Sequence, residues 1–523
     1  MYGLKPVPFK LKPVPFKGGD TQDYFNKLLE QFSNSCGLFS CVQGGSFLRE
    51  KPPIILLSVY SNWRTAITAR PTRERRSTIC RIPTLRLRSQ LPNSARTTRQ
   101  VQRPPNQLHP PQDLHQPAAP SRPAGATPTR PNTKRVDSID IFRGLTMVVM
   151  VLVNQIAEMR QLPWWTYHMP GSANGMTYVD MVFPFFLFIV GMSIPLAIQH
   201  RLAKGDTEFD LWQHVVLRSL GLIVLGLILA NSEKANPNLT GIGQRAWTFI
   251  ALLGAILFWN SYSRSSPRRH LFSAMKVSGA VMMVVMLAIF RRTTSAGTIR
   301  WLDFSYWEIL GMIGWTYLGA SLLYLPTRRW RWSAPAWFAA LSLLNVFSSA
   351  HWITFPYRLP FYLWPIKSGA GASMVMAGIA AATLFFSDAF EGSRNRKTMW
   401  VLLVASSLLV AAGLLAPLGI SKLRATPTYT LICVAAASLA FLALYWICDV
   451  RRHASWGNFA RPAGSNTLLT YLLPDLTLVL FGRAVLVERW DYGWIGALQA
   501  ALYTAMIVIA SAILTRFKVR IQL

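Results

Sequence analysis

Acidic side chains are scarce in this chain: 22 Asp and Glu stand against 54 Lys and Arg, and only 15% of the 523 residues carry charge. With 51% of residues apolar, so small a charged fraction excludes an ordinary set of soluble domains, although the length alone would allow two or three. Cysteine is scarcer still. Cys36, Cys41 and Cys80 lack metal-ligand spacing, and Cys433 and Cys448 fall about 15 residues apart in one apolar segment, too far along a helix to bridge. Neither a disulfide framework nor a metal centre is expected. Absent too are a Gly-rich phosphate loop, a charged start followed by an apolar core and a cleavage site, and a repeat relating the two halves of the chain.

What is present is apolar sequence in runs of about 18–22 residues, the length needed to cross a bilayer as a helix. The fold expected is all-α, a polytopic transmembrane bundle. Twelve spans are expected near 140–157, 176–198, 211–230, 246–260, 272–290, 306–325, 333–349, 370–387, 398–417, 427–448, 464–482 and 494–515. The fourth is short and the eleventh contains Pro474, so ten or eleven are the alternatives.

The net charge of +32 does not point to nucleic acid, because residues 1–135 alone carry 22 Lys and Arg against 6 Asp and Glu. The remaining excess lies mostly in loops between apolar runs, where it fixes orientation. With the N-terminal side inside, the inner loops hold 14 Lys and Arg and the outer loops 12; the flanks of the first and last spans bring this to 19 against 12. Both termini are therefore expected in the cytoplasm. The loop at Arg291, Arg292 and Arg300 is the main dissent.

Residues 1–134 read as a disordered basic arm. LKPVPFK occurs twice in succession, at Leu4–Lys10 and Leu11–Lys17, and 18 of the 33 prolines precede residue 136. Such composition buries too little apolar surface to offset the entropy of ordering. A misassigned start and a lipid-touching arm are the two explanations of its existence. Residues 135–523 form the membrane domain.

The informative stretch is RVDSIDIFRGLTMVVMVLVNQIAEMRQLPWWTYHMPGSANGMTYVDMVFPFFLFIVGMSIPLAI, from Arg135 to Ile198. Asp140 and Arg143 begin its first apolar segment, Asn154 lies near the far end, His168 sits in the polar loop, and Asp180 opens the second segment. An ionisable group facing lipid costs roughly 2.5–3.5 kcal/mol, so these residues are expected to face a wet cavity. Asp140 and Arg143, three apart, also suit a simple pair on one helical face. Trp164, Trp165, Tyr167 and Tyr178 suit an interfacial belt.

The same stretch resembles the transmembrane acetyltransferases typified by heparan-alpha-glucosaminide N-acetyltransferase, which carry a similar S-x-D-x-F-R-G start, a Val-Asn near the helix end, and a His-bearing loop running into D-x-V-F-P-x-F-x-F-I-x-G-x-S. WEILGMIGWTYL at Trp307–Leu318, ISKLRATPTYTLICVAAASLAFLALYWICDV at Ile420–Val450 and GSNTLLTYLL at Gly464–Leu473 look like later segments of that family in the same order. The loop departs from the eukaryotic pattern at Met169, Pro170, Gly171 and Ser172, where those members have a tryptophan-bearing turn. The resemblance implies acetyl-CoA as co-substrate without a metal, and a glucosamine-like glycan or amino sugar as acceptor. It places the protein in the lipid bilayer of a bacterial plasma membrane, and leaves monomer or homodimer open.

His168 is the leading catalytic candidate, because imidazole can take a proton from an attacking amine or hydroxyl, or carry the acetyl group itself. Asn154 can donate to the developing oxyanion or tie helices together. Asp180 can orient His168 or favour the helix dipole. Arg143, at the inner mouth, is the candidate for coenzyme A phosphates. Asp140, Asp475, Glu308 and Asn466 are candidate pocket residues, with Asn466 more suited to helix packing; Lys276, Arg218 and His214 read as snorkelling side chains. Two functions follow: a transmembrane N- or O-acetyltransferase, or a secondary transporter for a sugar or small solute.

Overall fold

The computed structural model describes residues 136–262, 267–305, 308–353, 368–386, 393–482 and 490–523. The basic arm expected to be disordered lies outside the described residues.

Twelve helices of 15 residues or more follow in order among the described residues: α1 (Asp137–Ile156), α2 (Tyr178–Leu202), α3 (Glu208–Asn231), α4 (Gln244–Trp259), α5 (Arg269–Ile289), α6 (Glu308–Thr327), α7 (Ser333–Ser349), α8 (Ala370–Phe385), α9 (Arg394–Leu414), α10 (Pro427–Leu444), α11 (Thr467–Phe481) and α12 (Gly493–Arg516). Each expected span has its helix, with ends moved by a few residues. Eight are long and apolar enough to cross a membrane, α10 being counted with the π-helical turn Tyr445–Val450 that continues it; α4, α8 and α11 are apolar but shorter. The chain is an integral multi-pass membrane protein. Regular strand among the described residues is limited to a hairpin pairing Arg292–Thr293 with Ile299–Arg300.

The helices divide into a centre and a periphery. Half or more of the apolar window of α1, α2, α3, α6 and α10 is inside the protein, against 17% for α5 and 11% for α9. Exposed Val277, Val281 and Val284 on α5, and Leu403 and Val410 on α9, are faces suited to lipid. Hydrocarbon gives apolar side chains no reason to prefer one another, so central contacts depend on close backbone approach. The α2–α8 crossing shows this: a Cβ on Gly191 would stand 2.0 Å from the Val375 carbonyl oxygen, and one on Gly378 would stand 2.0 Å from that of Phe188.

The loop after α1 and the loop after α9 meet, the Gly175 N–H donating to the Ile420 carbonyl at 2.9 Å.

Candidate active site

The loop between α1 and α2 is pinned on both sides of His168. The Tyr167 hydroxyl donates to the Met159 carbonyl at 2.9 Å and accepts from the Leu162 N–H at 3.1 Å, while Thr177 Oγ1 donates to the Tyr167 carbonyl at 2.8 Å. These bonds leave His168 little freedom to swing, although its side chain is 39% exposed.

Asp180 lies in the first turn of α2, where the helix dipole favours a carboxylate. Its Oδ2 accepts from the Thr177 N–H at 3.1 Å and the Met169 N–H at 3.3 Å. Its Oδ1 lies 2.7 Å from His168 Nδ1, and the carboxylate is buried. A carboxylate accepts only, so the ring donates from Nδ1, and in the neutral imidazole Nε2 then carries the lone pair. This is the tautomer a general base requires.

A third group enters from the loop after α9. Lys422 Nζ lies 3.2 Å from His168 Nδ1 and 3.7 Å from Asp180 Oδ1. Partial burial holds the Lys422 ammonium below the usual lysine range, against the pull of Asp180. The turn carrying it is tied to the His168 loop, since Asn174 Oδ1 accepts from the Ile420 N–H at 2.6 Å. Gly419 has φ +78°, and a Cβ there would also press on Arg424. From α10, the buried Tyr429 hydroxyl donates to the backbone carbonyl of Asp180 at 2.7 Å.

At the other end of α2 lies a small cleft of about 50 Å³ lined by Ser193 and Arg201 of α2, His214 and Arg218 of α3, and Tyr317 of α6. The Arg218 guanidinium sits 5.2 Å from the centre of the Tyr317 ring, and Arg201 pairs with Asp206 at 2.8 Å. Arg143 reaches the same wall by donating to Ser193 Oγ at 2.8 Å, with Asp140 Oδ1 at 3.4 Å. At about 1.5 Å rise per residue, Ser193 lies about 20 Å along α2 from Asp180, and Arg201 about 30 Å.

His168 and Asp180 are thus brought together, as are Asp140 and Arg143, at separate ends of the bundle. Asn154 stands exposed in the last turns of α1. Glu308 Oε1 accepts from the Tyr471 hydroxyl at 2.6 Å, and half-buried Asp475 lies within electrostatic reach of Glu308 and Glu233. Buried Asn466 donates to Thr515 Oγ1 and the Val519 carbonyl and accepts from the Ile521 N–H, tying the start of α11 to the end of α12. The snorkelling role expected of Arg218 and His214 is replaced by a place in the cleft wall. Lys422 was missed because only its loop's fold places it beside His168, 254 residues away.

The sequence comparisons bear on this geometry. Residues 135–344 match the family described as a domain of unknown function, DUF5009. Heparan-alpha-glucosaminide N-acetyltransferase of Mus musculus is 35% identical over 127 residues, 24% of this chain and 18% of the relative. The Homo sapiens protein of the same name is 35% identical over 122 residues, 23% of this chain and 17% of the relative. These matches support a transmembrane acetyltransferase family of the heparan-alpha-glucosaminide N-acetyltransferase kind. The chain matches under a fifth of the length of these curated relatives.

Proposed function

We propose that this protein is a membrane acetyltransferase that takes its acetyl group from acetyl-CoA at the Arg201 end of the bundle and delivers it to a sugar amine or hydroxyl at the His168 end. The observation that carries the reading is the 2.7 Å pairing of His168 Nδ1 with buried Asp180, which leaves Nε2 free to accept a proton. The basic cleft supports the donor side, because Arg218, Arg201 and Arg143 offer the planar donors that phosphate oxygens accept.

In this reading the acceptor nitrogen or oxygen attacks the thioester carbonyl carbon and its proton passes to His168 Nε2. The C–S bond then breaks, and the departing thiolate takes that proton. Asn154, exposed at the same end of α1, is the candidate donor to the oxyanion. Direct transfer needs donor and acceptor to meet once at His168. An acetyl-His168 route would instead exchange label between acetyl-CoA and free coenzyme A without acceptor.

The acceptor proposed is a glucosamine-like amino sugar, and the donor side is proposed to be cytoplasmic. Mass spectrometry of glucosamine incubated with acetyl-CoA and the purified protein tests the reading, an added acetyl group being the expected product. Solute accumulation in proteoliposomes with no acetylated product would make the protein a carrier instead.

A further inference from the structure

Two opposite charges meet the same imidazole edge. Asp180 Oδ1 lies 2.7 Å from His168 Nδ1 and Lys422 Nζ lies 3.2 Å from it, with the two charged groups 3.7 Å apart. A carboxylate alone beside a catalytic histidine fixes the tautomer and also stabilises the imidazolium. The ammonium keeps the first effect, because it leaves the carboxylate in place, and opposes the second. We propose that Lys422 is a positioning residue that keeps His168 neutral, with Nε2 unprotonated and ready to accept the acceptor's proton.

The inference rests on the acetyltransferase reading and adds a residue to it. The placement of Lys422 is built rather than incidental. Its loop is fastened to the His168 loop through Asn174 and Gly175, and is closed on itself by the Ser421 N–H donating to Thr426 Oγ1 at 3.0 Å. The charged and titratable groups that the contacts bring to this cluster are Asp180 of α2, Lys422 of this loop, Tyr429 and Cys433 of α10, which reach Asp180 and Lys422, and Tyr167 beside His168 in its own loop. Among them Lys422 is the cation within 4 Å of Asp180. The same cation opposes a lasting positive charge on the ring, as an acetylimidazolium would carry, and so favours direct transfer.

The test compares the pH profile of kcat/KM for acetyl-CoA in full-length wild type, Lys422→Met, Lys422→Gln and Lys422→Arg, each reconstituted in lipid nanodiscs. Loss of the cation makes the imidazolium easier to form, so the acidic limb of the Met and Gln variants moves to higher pH by about 1 unit, and Arg restores the wild-type limb. A lower rate with an unmoved limb, or an Arg variant that behaves like Met, overturns the proposal. The ¹⁵N resonances of the His168 ring, followed over the same pH range, read the same effect without turnover. A wild type that consumes no acetyl-CoA defeats the acetyltransferase reading, while the resonances still decide the role of Lys422.

Discussion

Tyr429 supplies to the Asp180 carbonyl the hydrogen bond that Pro184 cannot. Pro184 stands four residues on in α2, the position whose N–H would normally close that turn, and proline has none. The Tyr429 hydroxyl fills the vacancy at 2.7 Å from a helix distant in sequence. The backbone of Asp180 is thus held from α10 while its side chain holds His168.

Tyr429→Phe leaves that buried carbonyl without a donor, which costs about 1–3 kcal/mol. The expected outcome is a lower melting temperature in lipid nanodiscs together with reduced acetyl transfer. An unchanged melting temperature would mean that the carbonyl finds another donor.

Asp180→Asn keeps the shape of the side chain and removes its charge. The amide can donate to the imidazole as well as accept, so the Nε2-protonated ring becomes available and the base is lost. A fall in kcat of roughly 10³–10⁴-fold is expected, with expression in the membrane retained. Steady-state kinetics at saturating acetyl-CoA check it.

Arg218→Gln tests the donor cleft. A charge-assisted hydrogen bond contributes about 1.5–3 kcal/mol, so the KM for acetyl-CoA should rise by about 10-fold or more, with kcat little changed. A fall in kcat at constant KM would separate the cleft from donor binding.

The hairpin end of the bundle carries a pH dependence of its own. Burial pushes the Asp303 carboxyl up, but bonds from Lys234 and Ser305 outweigh it and hold the group at about 2. A depressed carboxylate stabilises the fold above its unfolded value of about 3.9 and loses that contribution as pH falls through about 2. Protection of the amides around Asn231 and Asp303, which are joined at 2.8 Å, taken as exchange relative to the intrinsic rate at each pH, should therefore fall between about pH 4 and pH 2. Asp303→Asn should exchange faster at neutral pH and lose this dependence.

The membrane spans were legible because hydrocarbon thickness sets a run length that composition alone exposes. His168 and Asp180 were legible as a pair because they stand twelve residues apart in one continuous motif. Lys422 and Tyr429 lie in the family-like run that begins at Ile420, but nothing in the sequence points them at His168, and Arg201 and Arg218 gave no comparable signal. Lys422 and Tyr429 reach Asp180 across more than 240 residues, and a cation near a helix end reads the same from sequence whether it turns to headgroups or to a cleft. Arg218 is decided by Tyr317 of α6, whose ring lies under its guanidinium. Asn466 was read both as a pocket candidate and as a helix tie, and three partners that only the fold brings together place it between the start of α11 and the end of α12.

The central claim is that one imidazole, oriented by Asp180, takes the acceptor's proton on the side of the membrane opposite to the donor. Proteoliposomes with labelled acetyl-CoA on the face bearing Arg201 and glucosamine on the face bearing His168 measure it directly. Wild type should yield labelled N-acetylglucosamine on the glucosamine side, and His168→Ala, inserted to the same level, should yield less by about 10² to 10⁴-fold. Equal product from His168→Ala, or product formed only when both reactants share one face, would contradict the account.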